Sequence, residues 1–232
     1  MNKHYSRTLV FFLLSTLLAC STKPLKIETH SQAPKSPFHA ITCLEDRERQ
    51  KARSEELQQI VTADQKDRLV HPVDWSVVSP RDLIRIKRVG EIFAEGCFLT
   101  GKDYDAAALV IQHGDHPDHS YQTYLWAKRA VELGTTDHKG LMLAGLDRHL
   151  VSRGFKQLFG TQSRRIHDDC RCVEPVETRF TDKLRVEMGS TKLKISMAEA
   201  LQINNGNQAC KGVRFCESKL VSAPLGTLPG VW

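Results

Sequence analysis

The chain has 232 residues, of which 41% are hydrophobic and 26% are charged, and its formal net charge is +6 at pH 7. This composition is typical of a soluble globular protein and excludes a disordered or fibrous chain. The basic excess is small and spread along the sequence, without an arginine-rich or aromatic-interleaved stripe, so we expect no nucleic-acid partner.

The first twenty residues have the layout of an export signal followed by a lipid attachment site. Two basic residues precede the apolar run 9–14, which is shorter than the about 20 residues that a membrane-spanning helix needs. The segment Leu-Leu-Ala-Cys at 17–20 resembles the lipobox of bacterial lipoproteins, in which the cysteine receives a diacylglyceryl group and becomes the first mature residue. We predict a signal peptide over 1–19 and lipidation of Cys20; the alternative is an ordinary signal peptide cut at the same place.

Lipidation predicts the location and the first partner of the chain. The segment 20–43 is rich in Pro, Ser, Thr and Lys, so we predict a lipidated flexible tether. Ser21 stands where aspartate is the retention signal in many enteric-type bacteria. We therefore expect the outer membrane, facing the periplasm, or the cell membrane if the organism has no outer membrane. The expected partners are the membrane, through the anchor, and a protein of the envelope.

With Cys20 lipidated, the remaining cysteines are Cys43, Cys97, Cys170, Cys172, Cys210 and Cys216. An even number in an oxidising compartment favours disulfides. Cys170 and Cys172 are separated by one residue and are poorly placed to bridge each other. The simplest scheme pairs them with the last two cysteines and leaves the first two to each other. The alternative, a zinc site from the last four, lacks the paired Cys-x-x-Cys spacing; we predict no metal and no cofactor.

Helical hydrophobic spacing and capping signals divide the middle of the chain into about five helices. They are predicted over 44–70, 80–96, 103–113, 117–134 and 137–153. Short loops between the last three favour antiparallel neighbours. We therefore predict a mainly α protein, in which an antiparallel helical bundle or helical-hairpin array covers 44–163.

Two helix starts carry specific expectations. Ser79-Pro80 is expected to begin the second helix, because serine is a good cap and proline suits the first helical position. Its apolar face is predicted to comprise Leu83, Ile86, Gly90 and Phe93. Asp115 or His116 is expected to cap the fourth helix, which starts at Pro117.

The segment 164–232 is predicted to be a small irregular region held by disulfides. Within it, 181–188 and 196–203 resemble short capped helices, whereas 184–187 and 193–195 could instead form two strands of a hairpin. The last twelve residues are rich in Pro and Gly and are predicted to be irregular.

Several charged residues fall on apolar helix faces. Asp64 lies seven residues after Leu57, and Arg68 lies four after Asp64, so both are predicted on the buried face of the first helix and in contact. Asp147 shares a face of the fifth helix with three leucines. A buried charge needs a partner, and Arg68 or Arg148 is the expected one.

The third helix ends on Gln112 and His113, which admit two interpretations. These polar groups could form a structural network that fixes how the helices dock, or they could line a pocket in which His113 carries protons. The histidine- and aspartate-rich run 113–119 has the donor types of a metal site. However, Pro117 bends the chain so that the histidines do not share a face, and we predict a polar turn without metal.

Three motifs in order resemble a bacterial family known only as a domain of unknown function. The motifs are Gln112-His113-Gly114-Asp115, Asp147-Arg148 and Gln157-Leu-Phe-Gly160-Thr161-Gln162. Family members have Q-H-A-D, D-R and Q-x-Y-G-T-Q, preceded by an acidic residue and an arginine in a first helix. The resemblance covers about residues 55–205, with Gly114 in place of the usual alanine and Phe159 in place of the usual tyrosine.

The resemblance implies no activity but sharpens the predicted polar site. Its candidate members are Asp64, Arg68, Gln112, His113, Asp115, Asp147, Arg148, Gln157, Thr161 and Gln162. No nucleophile elbow, phosphate-binding glycine loop or zinc-protease motif occurs in the sequence. We therefore expect an envelope lipoprotein with a helical binding or scaffold domain whose small-molecule ligand is not identified. The alternative is a hydrolase-type enzyme that uses His113 with Asp147 or Asp115 in an interhelical pocket.

Overall fold

Seven helices and one two-stranded sheet are present in residues 43–232, which are the residues that the computed structural model describes. The helices are α1 (Arg47–Asp67), α2 (Trp75–Ala94), α3 (Gly101–Ile111), α4 (Pro117–Glu132), α5 (Lys139–Ser152), α6 (Asp182–Glu187) and α7 (Leu193–Ala200). The strands are β1 (Ser163–Arg165) and β2 (Arg171–Val173). The predicted mainly α class is confirmed. The predicted signal peptide, Cys20 and nearly all of the tether lie outside the described residues.

Four of the five predicted long helices have ends within three residues of the predicted ones, and the exception is α2. Its N-cap is Asp74, whose carboxylate accepts a hydrogen bond from the backbone N–H of Ser76 at 3.0 Å, and Pro80 lies inside the helix. The predicted start at Ser79-Pro80 is wrong because an upstream side-chain cap already satisfies the free N–H groups of the first turn.

The apolar face predicted for α2 is wrong at three of its four positions. Leu83, Gly90 and Phe93 are exposed, whereas Val89 is fully buried and Asp82 is 5% exposed. Neighbouring helical positions lie 100° apart, so a stripe displaced by one residue faces another direction. The true buried stripe contains a charged residue, which a search for apolar periodicity does not select.

The core lies among the five long helices and the segment that follows α5. Its fully buried members include Leu57, Val89, Ile92, Ala107, Leu146, Leu150, Leu158 and Phe159. Thr100 and Asp103 form a reciprocal capping box at the start of α3, and the His116 ring accepts from the backbone N–H of Asp118 at the start of α4. Asp115 or His116 was expected to cap this helix, and His116 does so. No helix within 43–232 is both long and apolar enough to span a membrane.

Helices α4 and α5 are in close contact at Gly145. A Cβ at this position would lie 2.8 Å from the carbonyl oxygen of Ser120 and 2.9 Å from the backbone nitrogen of Tyr124. These are backbone atoms of α4, so they cannot move aside unless the helices separate. Glycine is therefore required at this contact for its lack of a side chain.

We expect Gly145→Ala to lower the free energy of unfolding by about 1–3 kcal/mol through overpacking. The loss should appear although alanine favours a helix over glycine by about 1 kcal/mol. The control is Gly140→Ala in the same helix, where an added Cβ meets no atom within 4 Å and stability should hold or rise. Urea unfolding of both variants is the measurement. Equal stabilities of the two variants would contradict the close contact.

The six cysteines of the described part form three disulfides, which confirms the predicted scheme. The pairs are Cys43–Cys97, Cys170–Cys210 and Cys172–Cys216. The zinc alternative is wrong because the sulfurs it needs are bonded to one another. Cys172 of β2 and Cys170, the residue before this strand, are bonded to the segment 208–216, which supplies the cross-linking that an irregular region with few core residues needs.

The short elements after residue 163 are partly as predicted. Helices α6 and α7 are present, so the alternative hairpin from 184–187 and 193–195 is wrong, and α7 begins at Leu193, three residues before the predicted 196. The antiparallel pairing of β1 with β2, in which Ser163 faces Val173, was not predicted. Each strand has only three residues, too few for an alternating pattern to stand out.

An ion pair and a stacked ring hold the end of the chain against the domain. The Arg179 guanidinium donates to both carboxylate oxygens of Glu177, at 3.0 and 3.1 Å, and lies 5.0 Å from the centre of the Trp232 ring. The arginine beside it lowers the pKa of Glu177 to about 2. Glu177 is therefore ionised at neutral pH.

This pair predicts how stability depends on pH. Because the pKa of Glu177 falls from 4.5 when unfolded to about 2 when folded, its contribution is complete above pH 4.5 and is lost as the pH falls through 2. Arg179 is half exposed, so solvent screening reduces the effect to about 1 kcal/mol. Acid unfolding of Glu177→Gln should be less steep over this window. The exposed control Glu187→Gln should follow wild type, and identical curves for all three proteins would contradict the prediction.

Candidate functional site

A cleft of about 360 Å³ opens where the end of α1, helix α2, the α3–α4 turn and α5 meet. We call it the His113 cleft. Its polar lining comes from Arg68, Asp82, Gln112, His113, Asp115 and Arg148, and Trp75 and Leu83 of α2 form its apolar wall. Five of the ten residues predicted for the site therefore line one cavity.

The His113 ring is held by a buried carboxylate. Its Nδ1 lies 3.1 Å from Oδ1 of Asp64, which is fully buried on α1. Nε2 makes no hydrogen bond to any residue of 43–232. A carboxylate on Nδ1 favours the tautomer with its proton there, which leaves Nε2 as a proton acceptor. This is the arrangement of an oriented acid–base histidine, although the predicted carboxylate partner was Asp147 or Asp115.

Arg68 completes a charge network that joins α1 to α2. It donates to Asp64 at 3.1 Å, the i, i+4 contact that the spacing predicts, and to Asp82 at 2.6 Å. Arg85 donates to Asp82 at 3.1 Å and also pairs with Asp67. The positive charge of Arg68 is therefore matched by two carboxylates, and the network fixes the position of Asp64, which contacts His113.

Arg148 differs from Arg68 because no carboxylate of 43–232 lies within 4.0 Å of it. Its Nη1 donates to the carbonyl oxygen of Gln112 at 2.7 Å, and its Nε donates to Oε1 of Gln162 at 3.4 Å. Nη2 donates to no residue of the described part. Burial lowers the pKa of the Arg148 guanidinium. The Gln112 carbonyl stands at the C-terminal end of α3, whose partial negative charge offsets part of this cost.

Asp147 lies behind the cleft and has no cationic partner among the residues of 43–232. Its two oxygens accept hydrogen bonds from the backbone N–H groups of Leu158 at 2.7 Å, Phe159 at 3.1 Å and Thr161 at 3.0 Å, and from the Thr161 hydroxyl at 2.8 Å. The expected pairing is wrong for both arginines. Arg148 is adjacent in the helix and points about 100° away, and Arg68 is engaged by Asp64 and Asp82. Burial raises the pKa of Asp147, and these donors oppose the shift.

The loop 157–162 is a brace rather than part of the cleft lining. The Gln157 side chain is fully buried, donates to the carbonyl oxygens of Gln162 at 2.9 Å and Glu174 at 2.7 Å, and accepts from the Gln162 N–H at 2.7 Å. Gln162 donates to the carbonyl oxygen of Ala144 at 3.2 Å. Since Gln162 also accepts from Arg148, the loop fixes the direction of the arginine.

Gly114 and Phe159, the two predicted departures from the resembled family, are both closely packed in the structure. A Cβ on Gly114 would lie 2.0 Å from Nδ1 of His119, so the usual alanine does not fit beside this histidine. Phe159 is fully buried against Phe180, with ring centres 5.3 Å apart, and a hydroxyl there would be enclosed by the core rather than reach the cleft.

His116 and His119 serve α4 rather than the cleft. Each accepts a backbone N–H in the first turn, from Asp118 at 3.2 Å and from His116 at 3.4 Å. This is the polar turn predicted for 113–119. Within the described residues, no three His, Cys, Asp or Glu side chains come together as metal ligands.

Sequence reasoning missed Asp82, Trp75 and Leu83 as parts of the cleft. Asp82 follows the buried Val78 by four residues and precedes Val89 by seven, a spacing that would have placed it on the buried stripe. The displaced helix start concealed this signal. No family model, curated protein or solved structure matches this chain, and the resemblance to the domain of unknown function stays a prediction.

Proposed function

We propose that this chain is a lipoprotein of the bacterial envelope, anchored through Cys20, whose helical domain is a binding module with the His113 cleft as its ligand site. The observation that carries the proposal is the convergence of polar side chains from four segments on one open cavity. Small-molecule sites are concave and combine apolar walls with a few fixed polar groups.

Because its polar groups are held in fixed positions, the cavity is better explained as a binding site than as an incidental depression of the surface. Asp64 orients His113, and the loop 157–162 orients Arg148. Arg68 is held by two carboxylates. Groups held in this way keep their geometry without a ligand, which lowers the entropy cost of binding.

One observation favours a second candidate, a hydrolase, in a form different from the one expected. The carboxylate on His113 Nδ1 is Asp64, whereas Asp147 is engaged by the loop and Asp115 is exposed and unpaired within 43–232. In this form Nε2 of His113 takes a proton from a water molecule that attacks the bound substrate. Binding is the first proposal because it requires only the cleft.

A ligand screen on the full-length protein in detergent tests the binding proposal. Metabolites are ranked by the rise in melting temperature, since a ligand that binds only the folded state stabilises it. Compounds that stabilise wild type should lose their effect in His113→Ala and keep it in the control His138→Ala, whose ring lies beside Asp105 outside the cleft. Equal stabilisation of His113→Ala would place the ligand elsewhere, and a screen without ligands would favour a scaffold role.

The anchor is tested by labelling cells with radioactive palmitate. Wild type should incorporate the label, and Cys20→Ser should not. A cysteine of the folded region, replaced in Cys43→Ser, serves as the control and should leave labelling intact. Equal incorporation by Cys20→Ser would contradict the lipoprotein assignment.

A further inference from the structure

We infer that the His113 cleft takes a small carboxylate with an apolar part: the carboxylate binds Arg148, and the apolar part lies against Trp75 and Leu83. This inference rests on the proposed binding function and names its ligand class. It follows from a charged side chain of the lining that has no counter-ion in 43–232 and from apolar side chains of the lining that are exposed.

The unmatched charge belongs to Arg148. Of the two arginines in the lining, Arg68 has two carboxylates at hydrogen-bond distance, whereas Arg148 has only neutral oxygens from Gln112 and Gln162. A cation withdrawn from water without a counter-charge is unfavourable. A ligand oxyanion at the free Nη2 removes that cost and gains a charge-assisted hydrogen bond.

The acidic residues of the lining favour a single negative charge. Asp115 lines the cleft without an ion pair in 43–232, and Asp82 is already shared by two arginines. A phosphate monoester dianion would meet one uncompensated cation and one free carboxylate. A carboxylate balances Arg148 with one charge, so repulsion by Asp115 acts less strongly on it.

The apolar part of the ligand is indicated by the wall that α2 supplies. Trp75 is 59% exposed and Leu83 is 54% exposed, and both border the same cavity as Arg148. Burial of these side chains against a ligand would remove apolar surface from water. The volume of about 360 Å³ lies at the lower end of small-molecule sites, which fits one ring or a short alkyl chain beside the carboxylate.

Three related probes test the inference on wild-type protein by NMR titration, with the His113 and Trp75 signals as the readout. Phenylacetate carries the predicted charge and ring, phenylacetamide has the ring without the charge, and phenyl phosphate carries a second charge. We expect phenylacetate to bind at least about tenfold more tightly than either of the others, equivalent to about 1.4 kcal/mol. This comparison does not depend on whether a variant folds.

Two variants separate the two contacts. Arg148→Gln should abolish the preference for phenylacetate over phenylacetamide, and its thermal melt shows whether the domain remains folded. Trp75→Ala changes an exposed side chain, so this variant should fold normally. It should weaken the binding of phenylacetate and of phenylacetamide by a similar factor. As a control, Trp126→Phe changes a core residue that does not line the cleft, and this variant should retain the preference.

The outcomes distinguish this inference from the proposed function. If phenylacetamide binds as tightly as phenylacetate, the carboxylate assignment is wrong, although the cleft still binds a ligand. If phenyl phosphate binds more tightly than phenylacetate, the carboxylate assignment is wrong and the ligand class is a phosphate. If millimolar phenylacetate leaves both signals unchanged, the inference is overturned, while the library screen still decides whether the cleft binds small molecules.

Discussion

Replacement of Asp147 by alanine is expected to lower the free energy of unfolding by about 3–5 kcal/mol. The carboxylate accepts from three backbone N–H groups and one hydroxyl of the loop 157–162. Alanine would leave these donors without an acceptor, and the two fully buried ones, the N–H groups of Leu158 and Phe159, would cost about 1–3 kcal/mol each. Urea unfolding measures the loss, and the Arg148 side chain should become more mobile because Gln162 no longer holds it.

Two companion variants make this result specific. Asp147→Asn keeps one acceptor oxygen but turns an NH₂ group toward the loop donors. Its loss of stability should therefore be smaller than that of Asp147→Ala but still measurable. His113→Ala should change stability by only about 0.5–1 kcal/mol, because Asp64 keeps its hydrogen bonds to Arg68. If Asp147→Ala melts at the same temperature as wild type, the hydrogen bonds between Asp147 and the loop 157–162 do not stabilise the fold as proposed.

Removal of the Cys172–Cys216 disulfide is expected to cost about 4 kcal/mol, because the unfolded chain gains the freedom of a 44-residue loop. The double variant Cys172→Ser with Cys216→Ser is the test, with hydrogen exchange as the readout. Protection should fall in 163–216 before it falls in the long helices. The Cys43–Cys97 bond closes a loop of similar length, 54 residues, and its double variant should instead expose the start of α1.

A thiol count checks the same bonds without mutation. Native protein denatured without reductant should show no reactive thiol among the six cysteines of 43–232, because each is in a disulfide. Full reactivity of all six would contradict the cross-linked region and the stability loss expected for it.

The helices were predictable because their signals are local. Caps, glycine stops and periodic apolar residues lie within a few positions of each helix end, and four long helices end within three residues of the prediction. Helix α2 shows the limit of such signals. Asp74 and Ser79 are both good caps, and the choice between them depends on which face of α2 packs against α1 and α3, a long-range property that moves Asp82 into the core.

The sequence predicted which residues belong to the candidate site better than it predicted the contacts between them. The spacing of Asp64 and Arg68 reveals a contact within one helix, but the contact of Asp64 with His113 joins residues 49 positions apart. In the same way, consecutive positions in α5 serve different neighbours: Asp147 binds a loop and Arg148 faces a cavity. A sequence pattern places a side chain on a helix face, whereas only packed helices determine what that face meets.

The position of the Cys43–Cys97 bond has a mechanical consequence. Cys43 precedes the start of α1, and Cys97 follows the end of α2. In the proposed lipoprotein, tension transmitted along the chain from residue 20 reaches the disulfide at Cys43 before it reaches α1. The covalent bond passes that load directly to the α2–α3 connection, so tension is not applied along α1 and cannot peel this helix from its neighbours one turn at a time. If the chain is anchored as proposed, the helix that carries Asp64, and with it the orientation of His113, is thereby isolated from movements of the anchor.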